Sequence, residues 1–357
     1  MHPGRVSEVF VNADLTIPRV PRVRVPRALR LALAALAPAV LAPALVLPVA
    51  LVPAAHAVPQ QVAPGSPASI VAVEQVSPTW SDILVDSPAM GRTIRVHVLH
   101  PAHSSPRPSF YLLDGNEASE VRSDWITKTD IVDFAASKDV NVVLPAGGEA
   151  SYYTDWQRPD PELGVNMWET FLTEELPPLI DGSFHGNGRD AIGGISMGGQ
   201  AALTLASRHP GQYQGIVAIS ACPLVAQAPY QGSVRAGIAS RGGNATNMWG
   251  ERDDPDWFAH DPSMNLDGLR GTDIYLYAGG GLPGVHEQGF DESVQSTILV
   301  GGPIEAGASL CTVDFAARLA GAGIPAMLDL RPTGTHSWPY WQDALRTAWP
   351  TVEASLQ

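Results

Sequence analysis

The sequence predicts an α/β fold, a mostly parallel central sheet with helices on both faces, from three observations. Short apolar runs bounded by Gly, Pro or Asp alternate with segments of helical period. The chain has 357 residues and 45% hydrophobic content, enough to bury a full core as one large domain. Residues 190–208 read as strand, glycine-flanked turn and helix in direct succession.

The first 57 residues differ in kind from the rest. Arg19, Arg22, Arg24, Arg27 and Arg30 precede an apolar run over 31–53, and Ala55-His56-Ala57 follows with the small-residue spacing of a cleavage site. A membrane anchor is the competing reading, because the run approaches the length of a span. Pro38, Pro43, Pro48 and Pro53 count against it, since each removes a backbone donor where no water can replace it. Residues 1–57 are therefore expected to be a secretory signal peptide. Residues 58–80, rich in Pro, Ser, Val and Gln without a period, read as a flexible linker, and 81–357 as the catalytic domain.

Loss of residues 1–57 removes six arginines and two acids, which takes the formal charge from −14 to −18. Such a surface repels nucleic acid and suits an exported, soluble protein. The two cysteines, Cys222 and Cys311, form an even pair in a chain that leaves the reducing cytoplasm, so one disulfide is expected.

Strands are expected at 94–99, 109–113, 140–145, 190–193, 215–220, 273–277 and 326–330. Trp168, Phe171, Leu172, Leu176 and Leu179 recur at spacings of three and four, which predicts a helix over 167–180. A second helix over 201–208 ends at His209-Pro210. The stretch 244–267 is an excursion between sheet elements. Catalytic groups of such a sheet belong in loops at the carboxyl ends of the strands.

Gly194-Ile195-Ser196-Met197-Gly198 is a G-x-S-x-G sequence. Alone it is weak, because a chain with 34 glycines can show one by chance. Its place between strand and helix is what strengthens it: a serine on a tight turn crowds its neighbours at plus and minus two, and glycine relieves the crowding. The helix then aims its amino end at the site, and the Met197 amide can face the oxyanion of a tetrahedral intermediate. The bland alternative is a glycine-rich turn that only packs helix on sheet.

In this arrangement the general base follows the last strand, which selects His336, while His97, His100, His103 and His209 are better explained as structural or solvent-facing. The acid should follow the strand at 273–277 and precede the next helix. Glu287, Asp291, Glu292 and Glu305 all qualify, and spacing does not choose among them. Asp254 and Asp261 precede that strand and read as cap or turn residues.

At this point the residues resemble a known family, the secreted mycolyltransferases of actinobacteria, the antigen 85 type. The likeness spans about 111–341 and rests on Tyr111-Leu112-Leu113-Asp114-Gly115, Trp125, Ser151-Tyr152-Tyr153-Thr154-Asp155-Trp156, Trp168-Glu169-Thr170-Phe171-Leu172, the Ser196 motif, Trp249-Gly250, Asp261-Pro262 and Gly334-Thr335-His336-Ser337-Trp338-Pro339-Tyr340-Trp341. The resemblance implies an α/β-hydrolase fold with a small helical insertion. It implies transfer of a long acyl chain from a trehalose ester through acyl-Ser196, Glu305 as the acid, and the Asn116 backbone as second oxyanion donor. Asp114, Glu117, Trp125 and Trp338 are then the expected substrate contacts, Trp338 as the sugar-contacting tryptophan. Glu117 stands where the family carries an arginine, which reverses the charge there and should alter acceptor choice. The family's short cysteine-bridged loop has its counterpart near 161–166 without cysteine, so the bridge here is expected to join Cys222 to Cys311 instead.

The main expectation is a secreted acyltransferase acting on acylated trehalose or a related glycolipid, with a cell-wall polysaccharide as a further acceptor. The alternative is a secreted carboxylesterase using the same three residues, and an inactive binding scaffold is the reading of a different class. No metal or nucleotide cofactor is implied, because neither a zinc spacing nor a phosphate-cradling loop occurs. No transmembrane span is expected in the mature chain.

Overall fold

The computed structural model describes residues 66–288 and 292–357. The expected signal peptide and the first part of the linker, 58–65, lie outside these, as does Asp291.

Nine strands form one sheet: β1 (Ser69–Ser77), β2 (Trp80–Ser87), β3 (Arg92–Leu99), β4 (Arg107–Leu113), β5 (Asn141–Pro145), β6 (Gly186–Ile195), β7 (Tyr213–Ile219), β8 (Asp273–Ala278) and β9 (Met327–Leu330). Their order is β1-β2-β3-β5-β4-β6-β7-β8-β9. The pairs from β1 to β5 through β2 and β3 are antiparallel, and every pair from β5 through β4 to β9 is parallel. Buried on both faces, the central parallel strands read as continuous apolar runs, which made them legible.

Alternate residues of these strands feed two cores. Tyr111, Leu113, Ile192, Ile216 and Leu276 join one with the nucleophile helix Met197–Arg208 and with Phe315 and Leu319 of the helix Gly302–Gly321. Phe110, Leu112, Ala191, Val217 and Tyr275 join the other with Trp341, Leu345 and Trp349 of the C-terminal helix Trp338–Ser355. Helices thus cover both faces, as the period-two geometry of strands requires.

Two expectations need correction. The linker over 58–80 contains β1, seven of whose nine residues pair with β2, so the sheet begins before Trp80. As the edge strand β1 is exposed on nearly its whole length and shows no one-sided polarity pattern, although Ile70, Val71, Val73 and Val76 are β-branched. The helix expected over 167–180 is three pieces: Trp168–Thr170, a π-helical turn at Phe171–Glu175, and Leu176–Phe184. Pro177 and Pro178 explain the break, because neither offers an amide to the preceding turn.

Candidate active site

The turn between β6 and the nucleophile helix holds Ser196 at φ 51° and ψ −117°, a left-handed conformation that costs a non-glycine residue energy. The flanking glycines are what allow it. A Cβ on Gly194 would lie 2.6 Å from the Gly198 carbonyl carbon, and one on Gly198 would lie 2.4 Å from the Asp114 carbonyl oxygen. Ser196 is the N-cap of its helix but makes no side-chain cap bond, so Oγ is left for other partners. The helix's first amides, Met197 among them, have no intrahelical acceptor and point their positive end at the same place.

Three side chains from three separate segments meet there. Ser196 Oγ is 2.9 Å from His336 Nε2, and His336 Nδ1 is 2.7 Å from Glu305 Oε2. His336 follows β9, and Glu305 lies in the first turn of the helix Gly302–Gly321 rather than in a loop before it. Of the other acids considered, Glu287 accepts from the Gly284 amide and from the Thr335 and Tyr340 hydroxyls and takes no part in this chain.

Glu305 is 1% exposed, and its second oxygen is also satisfied: Oε1 accepts from the Gly279 amide at 2.6 Å and from Ser220 Oγ at 2.7 Å. Ser220 in turn accepts from Trp341 Nε1 at 3.0 Å and is itself held at φ 53° after β7. A buried carboxylate with three donors has little freedom to rotate, and it fixes both the orientation and the tautomer of the imidazole. Ser220 was not singled out from sequence, and Trp341 entered only as the last residue of the Gly334–Trp341 motif, with no role. No motif marks Ser220; only its left-handed φ, invisible in the sequence, distinguishes it.

The loop after β4 closes the other side. A Cβ on Gly115 would come within 3.9 Å of Ser196 Cβ, so the backbone entering Asn116 lies against the nucleophile. The Asn116 carbonyl accepts from Ala150 at 3.2 Å, and its side-chain amide donates to the Gly237 carbonyl at 3.3 Å. Met197 Sδ accepts from the Tyr152 amide at 3.3 Å, which ties the helix start to the 150–153 turn.

Two of the expected substrate contacts are interior residues. Asp114 is fully buried and accepts from Ser123 Oγ and the Asp124 amide, both at 3.1 Å; burial pushes its carboxyl up to about 7. Trp125 is also fully buried and donates to the Leu113 carbonyl at 3.0 Å. Both therefore brace the β4 loop instead of facing substrate. Trp338 is half-buried, edge-on to Trp125 at 5.4 Å with the Lys128 ammonium 5.3 Å above its ring. Glu117 is exposed and paired with Arg241, which also reaches Glu149 at 3.5 Å; Arg122 instead stacks on Trp80. A guanidinium thus pairs with Glu117, the residue next to Asn116 in sequence.

Cys222, just beyond β7, is bonded to Cys311 on the helix that carries Glu305, with Cα atoms 5.0 Å apart. The bridge ties the acid's helix to the strand end that bears Ser220. Closing a loop of 89 residues stabilises the fold by about 4 to 5 kcal/mol in the chain-entropy model.

A polar cavity of about 350 Å³ lies at the opposite end of the nucleophile helix, lined by Glu169, Arg208, His209 and His260. Burial alone would raise the Glu169 carboxyl, but hydrogen bonds from His209, His260 and Arg208 hold it well below the usual range. The cluster ties Glu169 and His260 to the end of that helix, and none of its four side chains is a nucleophile of the hydroxyl or thiol kind. Among the described residues no group of His, Cys, Asp and Glu is set to hold a metal ion.

The arrangement can accept a proton from Ser196, hold it on His336 and return it, with amide donors beside the reacting carbonyl. Comparison with known proteins agrees with this chemistry. The esterase family model matches residues 87–352. Diacylglycerol acyltransferase/mycolyltransferase Ag85A of Mycobacterium tuberculosis is 32% identical over 280 residues, covering 76% of this chain and 80% of that protein. Ag85B of Mycobacterium leprae is 32% identical over 281 residues, covering 76% and 83%. Among solved structures, MPT51 of Mycobacterium tuberculosis superposes with a TM-score of 0.65 at 26% identity, over 78% of this chain and 99% of that one. An S-formylglutathione hydrolase from Agrobacterium tumefaciens, at 17% identity and a TM-score of 0.58 over 81% of this chain and all of its own, shares the fold. The chain belongs to the secreted actinobacterial esterase/mycolyltransferase family of antigen 85 type, built on an α/β-hydrolase fold.

Proposed function

We propose that the chain is a serine carboxylic ester hydrolase working through an acyl-Ser196 intermediate. The observation that carries the reading is the unbroken chain from Ser196 Oγ through His336 to the buried Glu305. Ser196 Oγ attacks the ester carbonyl carbon as His336 Nε2 takes its proton. The Met197 and Asn116 amides face the oxyanion, the carbon–oxygen bond to the alcohol breaks, and His336 returns the proton to the leaving alkoxide. Water, deprotonated by His336, then attacks the acyl carbon; the bond from that carbon to Oγ breaks, and His336 returns the proton to Ser196 Oγ. The Cys222–Cys311 bridge supports action outside the reducing cytoplasm.

Ser196→Ala and His336→Ala are each expected to abolish turnover of an activated acyl ester, and their combination to cost little more than either alone. Near-normal turnover by purified Ser196→Ala protein would refute the assignment.

Transfer is the second reading, in which a sugar hydroxyl replaces water and the donor is an acylated trehalose or related glycolipid. It is favoured by the names of the relatives and by Arg241, whose guanidinium pairs with Glu117, next to Asn116 in sequence, and offers a donor for an acceptor hydroxyl. On this reading Arg241→Ala lowers the transfer-to-hydrolysis ratio several-fold, on the order of 1 kcal/mol of differential transition-state binding, at one trehalose concentration. An unchanged ratio removes it.

A further inference from the structure

The helical segment that carries Glu305 has an outer face of unusual composition. From Ser293 to Gly321 it runs 29 residues, within which an 18-residue stretch has a mean hydropathy of 1.3, the one helix among the described residues long and apolar enough to cross a membrane. Its inner face is accounted for, because Glu305, Ala308, Cys311, Phe315 and Leu319 are buried in the fold. The outer face of such a helix is normally polar. Here it presents Leu299, Val300, Ile304, Leu310 and Val313, exposed by 72%, 58%, 49%, 70% and 43%. Between Leu299 and Val313 the only charged side chain is the buried Glu305.

This is a concentration and not scatter. Of the 17 large hydrophobic side chains exposed among the described residues, five lie on this one helix. Single exposed hydrophobics need no explanation, whereas a contiguous set marks a surface that meets something apolar. The set also adjoins the chemistry, since the carbonyl of Gly301, next after Val300, accepts the His336 amide at 3.2 Å.

Charge selects the occupant. Residues 282–330 contain six acidic side chains and one basic, Arg318, which is tied to Asp314 at 3.1 Å. Helices that lie on anionic bilayers carry Lys and Arg on their rims, and this one has no unpaired cation to offer: Arg318 is tied to Asp314, and the residues around the helix are acidic. An uncharged acyl layer has no such objection, and it is what a long-chain ester forms in water.

We propose that the outer face of the Ser293–Gly321 helix docks on aggregates of uncharged acyl esters, seating the Ser196 site at the lipid–water boundary. The proposal rests on the acyl-ester reading above, and its substrate is an ester taken from an aggregate, with its chain leaving Ser196 along the Leu299–Val300 surface.

Flotation of Ser196→Ala protein with an emulsion of trioctanoylglycerol tests docking without turnover. The same emulsion containing phosphatidylglycerol tests the charge argument, and Leu310→Glu with Val313→Glu tests the surface. All forms share residues 31–53, so any lipid affinity of that run cancels in the comparison. The protein is expected to float with the neutral emulsion, less with the anionic one, and about ten-fold less with the two glutamates added. With Ser196 present, the glutamates should leave hydrolysis of a soluble short-chain ester unchanged and lower hydrolysis of the emulsion by a similar factor; the soluble substrate also reports folding.

Protein that stays in the aqueous phase, glutamate variants that float as well as their parent, or flotation favoured by phosphatidylglycerol would each overturn the proposal. So would a concentration-dependent dimer in sedimentation velocity that the glutamates dissolve, since the occupant is then a second copy. Failure of soluble-ester turnover in the Ser196 protein would sink the acyl-ester reading instead, and flotation would still judge the surface.

Discussion

At the residue scale, the reactivity of Ser196 depends on how little freedom its partners have. His336 is oriented by Glu305, and Glu305 by Gly279, Ser220 and, through Ser220, Trp341. Replacing the carboxylate by an amide keeps the shape but removes the negative charge and favours the wrong imidazole tautomer. Glu305→Gln is therefore expected to lower kcat on the order of 10⁴-fold, as the equivalent change does in a serine protease, with KM little changed. A loss of less than about ten-fold in steady-state kinetics would show that His336 does not depend on this acid. Ser196 and His336 were legible because each sits in a local pattern, a glycine-flanked turn and a loop past the last strand. Glu305 was not separable from Glu287 by spacing, because the acid reaches the site from the first turn of a long helix, and only the family likeness pointed to it. Asp114 and Trp125 misled for the converse reason: a carboxylate and an indole in motif positions look like surface groups until their burial is seen.

At the element scale, β6 leads into Ser196, and the middle of the strand contains an acid with no part in the proposed chemistry. Asp190 is 6% exposed, its Oδ1 has no hydrogen-bond partner, and burial, assisted by the nearby Asp181, pushes its carboxyl up from 3.8 to about 7. A folded-state value raised above the unfolded one means that the native chain binds more protons between these two limits. The group's contribution to stability is fully present below about pH 4 and is lost as the pH rises through about 7. Asp190→Asn should accordingly raise the thermal midpoint at pH 8 by a few degrees, about 1 to 3 kcal/mol, and the gain should shrink toward pH 5. Calorimetry at the two pH values checks it; an equal effect at both would contradict the burial argument. Most covered strands were otherwise readable, but β2 was missed although largely buried, because Ser81, Asp82 and Ser87 take buried positions in it and interrupt the apolar run. The edge strand β1 escaped because solvent on both sides leaves no periodic polarity, and the π-helical turn escaped because hydrophobic spacing continues through it while Pro177 and Pro178 change the hydrogen bonding.

At the scale of the whole molecule, the sheet gathers the carboxyl ends of β4, β6, β7, β8 and β9 at one rim, where Asn116, Ser196, Ser220, Gly279 and His336 stand. The disulfide fastens the Glu305 helix to the same rim. On the reading proposed above, this frame serves one covalent event, transfer of an acyl group to Ser196 Oγ. Intact-protein and peptide mass spectrometry during rapid quench of an activated acyl ester tests it most directly. The account predicts an adduct of one acyl mass that forms within the first turnover, maps to the peptide bearing Ser196, decays as product appears and is absent from Ser196→Ala protein. An adduct on another residue, or steady turnover in Ser196→Ala protein, would contradict it.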